Sequence, residues 1–164
     1  MPTPPNDATA PTDELALEDF LPYRLSVLTN TISNAIATVY SQQFELSIPA
    51  WRVMAILGRF DNLSAAELVD KTAMDKVAIS RAVSLLLDKQ YLTRREDSED
   101  RRRSVLSLSP KGRETYAQIV PLAQRYEQDL LQKLSADEVD QLHSLIDRLM
   151  QKANQWKEQG LDGP

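Results

Sequence analysis

From Asp19 onward, apolar residues return every three or four positions: Leu21, Leu25, Leu28, Ile32, Ala35 or Ile36, and Val39. That period predicts a helix with a single apolar stripe. Pro22 is tolerated only in a first turn, so the helix starts beside it and runs to about Gln43, roughly six turns. A stripe of that length needs a long partner. In "LSIPAWRVMAILGRF", Ser47 is placed to cap a second helix with Pro49 in its first turn. Trp51, Met54, Ala55 and Leu57 or Gly58 follow at helical spacing. Ser64 and Glu67 have the spacing of a capping box and open a short helix from Ala65 to about Lys71. Asp75 caps the next helix, which buries Ile79, Ala82, Val83, Leu86 and Leu87. Lys76, Ser80, Arg81, Ser84 and Asp88 fall on its opposite side.

The period then changes. "YLTRRE" reads as a short strand, "DSEDRRR" as a turn or extended tip, and "SVLSLS" as an alternating return strand with Val105, Leu106 and Leu108 as its apolar positions. Ser109 followed by Pro110 marks a new helix start. That helix runs through Tyr116, Ile119, Val120, Leu122 or Ala123, Tyr126 and Leu130 to about Lys133, with Pro121 expected to bend it. A second capping box, Ser135 and Glu138, opens a last helix with the stripe Val139, Leu142, Leu145 or Ile146, and Leu149.

The predicted fold is mostly α: a winged helix-turn-helix with a two-stranded wing, plus N- and C-terminal helices that form a dimerisation region. The boundaries are a poorly ordered tail over 1–18, an N-terminal dimerisation helix over 19–47, and the winged unit over 48–109. C-terminal dimerisation helices follow over 110–157, then a tail over 158–164. The segment "MPTPPNDATAPT" is proline-rich and polar and offers no core face. The long stripes at both ends exceed what the winged unit covers, and a two-fold helical dimer accounts for them.

Charge sharpens this picture. The 164-residue chain carries a net charge of −5, which argues mildly against general nucleic-acid affinity. Yet residues 71–113 hold 11 Lys/Arg against 6 Asp/Glu, and the remaining residues hold 8 against 18. Positive charge is therefore gathered on the second short helix and the hairpin. A helix of this kind fits the major groove, and an arginine-rich tip suits a narrow minor groove. The candidate DNA-binding residues are Ser64, Lys76, Val77, Ser80, Arg81, Ser84, Asp100, Arg101, Arg102 and Arg103. The helix start at Asp75–Val77 also offers amides to phosphate, and Asp100 could hold one guanidinium extended.

Other chemistry is thinly represented. There is no cysteine, so disulfides and thiol sensing are excluded, and His143 stands alone as the single histidine. No glycine-rich phosphate loop, nucleophile elbow or metal-ligand spacing is present, so no enzyme and no cofactor are expected. No 18-residue apolar run and no secretory leader pattern occur, which makes the cytoplasm the expected location. A winged-helix protein–protein interaction module without sequence-specific DNA binding is the alternative reading.

"ISRAVSLLLDKQYLTRREDSEDRRRSVLSLSPKGRE" resembles the signature of the MarR family of bacterial transcription regulators, and "LSIPAWRVMAILG" is similar to the family's second helix. The resemblance spans about residues 20–155. It implies a homodimer that binds palindromic promoter DNA, usually as a repressor, and is often released by a small molecule. It also implies that Ser80 and Arg81 are recognition-helix contacts and that Asp100 and Arg102 form the wing's D-x-R, with Arg102 in the minor groove. Arg101 and Arg103 would contact phosphates. The absence of cysteine departs from peroxide-sensing members, and His143 alone departs from zinc-sensing ones. "FLPYRLSVLTNTIS" with "LSIPAWRV" looks like members that respond to aromatic acids or their coenzyme A thioesters. That implies an effector pocket lined by Tyr23, Arg24, Trp51 and Arg52.

Overall fold

The computed structural model describes residues 15–97 and 103–160. Its elements are α1 (Leu21–Phe44), α2 (Ile48–Arg59), α3 (Ala65–Thr72), α4 (Lys76–Asp88), β1 (Leu92–Glu96), β2 (Ser104–Leu108), α5 (Pro110–Leu131) and α6 (Ala136–Gln159). The tip residues Asp100, Arg101 and Arg102, and most of both expected tails, lie outside the described residues. Helix α6 continues to Gln159, past the expected boundary at 157.

Helix starts follow the capping chemistry. The side chains of Ser47, Ser64, Asp75, Ser109 and Ser135 each accept a hydrogen bond from the backbone N–H three residues on. Such a cap contributes about 1 kcal/mol. Both capping boxes are complete. The Glu67 carboxylate accepts from the Ser64 amide at 2.8 Å, and the Glu138 carboxylate accepts from the Ser135 amide at 2.7 Å.

The core sits where α2 crosses α4. Ala50, Val53, Met54 and Leu57 meet Ile79, Ala82, Val83 and Leu86, all buried. Leu68, Leu92, Leu106 and Leu108 close one end, while Tyr40 and Ile119 bring in α1 and α5. Burying each Leu- or Val-sized side chain contributes about 1.5–3 kcal/mol.

The hairpin is antiparallel, with Leu92 opposite Leu108 and Glu96 opposite Ser104. Its return strand is not the alternating strand expected from its pattern. Val105, Leu106, Ser107 and Leu108 are all buried. A segment ahead of α3 causes this: Leu63 pairs with Leu106 through reciprocal backbone hydrogen bonds of 3.1 and 2.8 Å. Asn62 then accepts from the Ser107 hydroxyl at 2.9 Å, so β2 is flanked on both edges.

At the far end of β2 the backbone turns directly into α5. The Ser109 amide donates to the Tyr91 carbonyl at 2.9 Å, and the Ser109 hydroxyl donates to the Gln90 carbonyl at 2.6 Å. Gly112, in the first turn of α5, lies so close that a Cβ there would collide with the Tyr91 carbonyl oxygen. The glycine of "SPKGR" is thus required by close approach.

Helix α5 continues through Pro121 without interruption. Helix α6 buries none of its 24 residues, and Leu142, Leu145, Ile146, Leu149, Met150 and Trp156 stand exposed along it. The first two turns of α1 are likewise uncovered at Leu21, Leu25 and Leu28. Among the described residues, four with side chains adopt left-handed backbone: Glu45, Asn62, Ala73 and Gln90, with φ of 52°, 59°, 52° and 61°.

Replacing Gly112 by alanine should destabilise the fold by about 1–3 kcal/mol, read as a lower urea midpoint. A midpoint unchanged by Gly112→Ala would mean that α5 does not press on Tyr91. A second expectation concerns acid. The Ser64 hydroxyl and then its amide hold the Glu67 carboxyl below its ordinary value of 4.5, with Arg103 and Lys71 adding and slight burial opposing. Because the folded value is depressed, the contribution is present above that ordinary value and is lost as pH falls through the folded one. The urea midpoint should therefore drop below about pH 4.5, and by less in Glu67→Gln.

Candidate nucleic-acid interface

Helix α4 buries Ile79, Ala82, Val83 and Leu86 and turns Lys76, Val77, Ser80, Arg81 and Ser84 outward, all exposed. Val77 is 58% exposed, too much for a core residue. The Asp75 carboxylate accepts from the Ala78 amide at 2.8 Å. The amides of Lys76 and Val77 precede the first intrahelical bond and face away from the helix body. The recognition face expected from the sequence is thus assembled on one side of one helix.

Beside it runs a cleft of about 400 Å³ between α3, α4 and β1. Its floor includes Ala65, Val69 and Val83, and its rim carries Lys76, Ser80, Ser84, Asp70 and Arg94. Arg94 was missed by the sequence reading. It sits on β1 opposite Leu106, yet it reaches the same cleft as Lys76. The signal was its place in the strand: Leu92 faces the core, so Arg94, two residues on, lies on the same side of the strand but beyond the core edge.

Charge pairing divides the basic residues in two. Arg95 donates to the Asn62 side-chain oxygen at 2.6 Å, Arg113 pairs with Asp61 at 2.9 Å, and Arg103 pairs with Glu67 at 3.1 Å. Lys89 pairs with Glu45 at 2.6 Å, and Lys111 donates to the Lys89 carbonyl at 2.9 Å. Lys76, Arg81 and Arg94 form no ion pair among the described residues. An unpaired guanidinium or ammonium reaches an incoming phosphate without first breaking a bond. The hydroxyl of Ser64 is engaged with Glu67 at 2.6 Å, and Arg103 with the same carboxylate. Both candidates are therefore turned toward α3 rather than outward.

The expected effector residues separate. Trp51 and Arg52 line a small cavity of about 130 Å³ with Ser33, Ile36, Tyr40 and Ile48, at the α1–α2 junction. The Arg52 guanidinium donates to the Ser33 hydroxyl at 3.3 Å. Trp51 stands between Tyr40 and Tyr116, with ring centroids 5.8 and 5.9 Å away. Burial pushes the Tyr40 hydroxyl above its ordinary range, and Arg52 partly opposes this. Tyr23 and Arg24 do not line this cavity; they lie exposed in the first turn of α1. His143 is exposed on α6. No group of three or more His, Cys, Asp or Glu side chains suited to a metal occurs among the described residues, and among them no helix is long and apolar enough to cross a membrane.

Residues 44–103 match the MarR family model. A curated relative, the HTH-type transcriptional regulator BilQ of Clostridium symbiosum, is 28% identical over 93 residues, covering 57% of this chain and 65% of the relative. The match thus spans just under two thirds of that relative's length. The crystal structure of a MarR/EmrR family transcriptional regulator from Acinetobacter sp. ADP1 superposes with a TM-score of 0.80 at 28% identity, covering 86% of this chain and 99% of the other. That of Bordetella bronchiseptica BpsR, whose DNA binding is regulated by 6-hydroxynicotinic acid, has a TM-score of 0.73 at 20% identity, covering 84% and 97%, and shares the fold. Residues 44–103 thus carry a MarR family domain, with β2 just beyond the matched segment, and the chain shares its fold with MarR family members, which are DNA-binding transcription regulators and not enzymes.

Proposed function

We propose that the chain is a homodimeric regulator that binds palindromic promoter DNA as a repressor and leaves it when an aromatic acid binds. The observation that carries this reading is the outward face of α4, where Lys76 and Arg81 stand exposed beside Ser80 and Ser84, with no ion pair among the described residues. Serine and arginine on such a face read base edges, and lysine neutralises phosphate. Arg94 adds a second cation at the cleft edge. Arg102 of the wing's D-x-R with Asp100 is the minor-groove residue of the same reading, and Arg101 a phosphate contact.

Dimerisation is supported by the uncovered apolar faces. Helix α6, about 36 Å long, exposes Leu142, Ile146, Leu149 and Trp156 at steps of four, three and seven residues, beside Leu145 and Met150. A solitary helix does not keep such a seam in water. A second copy of the chain offers the same seam by two-fold symmetry.

The effector reading rests on the cavity at Arg52. A cation lining the same pocket as Tyr40 and Trp51 suits a carboxylate attached to a ring. Its volume of about 130 Å³ is close to that of a cavity that takes one benzene ring. A ring with one carboxylate is nearer to its size than a coenzyme A thioester, whose nucleotide would have to stay outside. BpsR supports the same class of ligand by its regulation with 6-hydroxynicotinic acid.

Selection of genomic fragments by the purified protein should enrich a palindrome with half-sites about one helical turn apart. Recovery of bulk DNA without enrichment would favour the interaction-module reading instead. On the enriched operator, Arg81→Ala should cost about 1–3 kcal/mol and relax preference at one position per half-site. A loss uniform over all sequences would make Arg81 a phosphate contact. Sedimentation should give a particle of roughly 37 kDa, twice the 18.5 kDa chain, and a monomer at micromolar concentration would refute the architecture.

A further inference from the structure

Besides the Leu63–Leu106 backbone pair, side chains of the segment Asp61–Glu67 hold the wing and the start of α5 at three points. Asp61 holds Arg113 at the start of α5, Asn62 holds Arg95 on β1 and Ser107 on β2, and Glu67 holds Arg103 just before β2. The third point differs from the others. Glu67 is already fixed when Arg103 meets it, because the same carboxylate oxygen accepts from the Ser64 amide at 2.8 Å and the Ser64 hydroxyl at 2.6 Å. The Arg103 guanidinium reaches that oxygen at 3.1 Å and the Ser64 hydroxyl at 3.5 Å. Its own carbonyl accepts from the Asp97 amide at 2.9 Å, extending the strand ladder by one bond at the loop end of the hairpin. An exposed ion pair usually holds weakly because two long side chains must be ordered together. Here one partner is ordered in advance by the helix cap.

We infer that Glu67 and Arg103 are positioning residues, a strut between the start of α3 and the loop end of the wing's strands that sets the angle at which the wing meets DNA. This rests on the DNA-binding reading above. It reassigns Arg103, expected from the sequence to be a phosphate contact, and it gives the Ser64–Glu67 capping box a second task. The two roles for Arg103 differ in sign. If Arg103 bound phosphate, Glu67 would compete for it, and neutralising Glu67 would strengthen DNA binding. If Arg103 braces the wing, neutralising Glu67 weakens DNA binding.

Glu67→Gln is the informative substitution, since glutamine still serves a capping box while the charge is lost. Operator affinity should fall about three- to fivefold in Glu67→Gln, with a similar fall in Arg103→Ala. The double variant should be no worse than either single one. The salt dependence of binding should keep its slope in Arg103→Ala, whereas loss of a phosphate contact would reduce it by about 0.9. Tighter binding by Glu67→Gln, or a reduced slope in Arg103→Ala, would overturn the strut. Amide exchange in the free protein supplies a readout independent of DNA. The Asp97 amide should exchange faster in Glu67→Gln while that of Leu86 in α4 does not change. Unchanged exchange at Asp97 would also overturn the strut. Faster exchange at Asp97, in a chain whose unaltered form retains no operator, would support the strut and overturn the regulator reading.

Discussion

The contact between the Gly112 backbone and the Tyr91 carbonyl governs how the two halves of the molecule are joined. Tyr91 follows directly on α4, and Gly112 belongs to the first turn of α5. Both ends of the hairpin meet there, because the Ser109 amide bonds to the Tyr91 carbonyl and its hydroxyl to Gln90. The wing, α4 and the long α5 thus share one anchoring point. A side chain at position 112 would push α5 away from that point and shift all three together.

Charge is arranged on the same plan. The basic window looks uniform in sequence, but most of its described cations are committed to neighbours. Arg95, Arg103 and Arg113 face the α2–α3 segment, Lys89 faces Glu45, and Lys111 covers Tyr91 at 5.0 Å. Exposed pairs of this sort add little stability individually. Their effect is to remove those groups from the pool that an anion could use, which leaves Lys71, Lys76, Arg81 and Arg94 as the described cations of that window without such a commitment to a side-chain or backbone oxygen.

Much of this was legible in the chain. All five expected N-caps cap, since a serine or aspartate three residues ahead of an otherwise unpaired amide is a local interaction that needs no knowledge of the fold. The buried and exposed faces of α4 followed from period alone. What escaped depends on distant partners. Burial along all of β2 requires Leu63 at its free edge, and nothing in "SVLSLS" announces that neighbour. The commitment of Arg103 to Glu67 joins residues 36 positions apart. Arg94 escaped because a basic strand residue reads as solvent-facing until α3 and α4 are seen to form a cleft beside it. Tyr23 and Arg24 were grouped with Arg52 by resemblance, and the rise of α1 keeps them turns away from Ser33.

The four left-handed residues fall one to a joint: Glu45 between α1 and α2, Asn62 between α2 and α3, Ala73 between α3 and α4, and Gln90 between α4 and β1. None is glycine. For a residue with a Cβ the left-handed region is a small well with steep walls. A glycine at these places would let neighbouring helices swing through a wide arc, whereas these residues allow one pose or a costly jump. The unit from α2 to β1 therefore behaves mechanically as a rigid key. Any message from the helical arms must arrive as a displacement of the whole key and not as a bend within it.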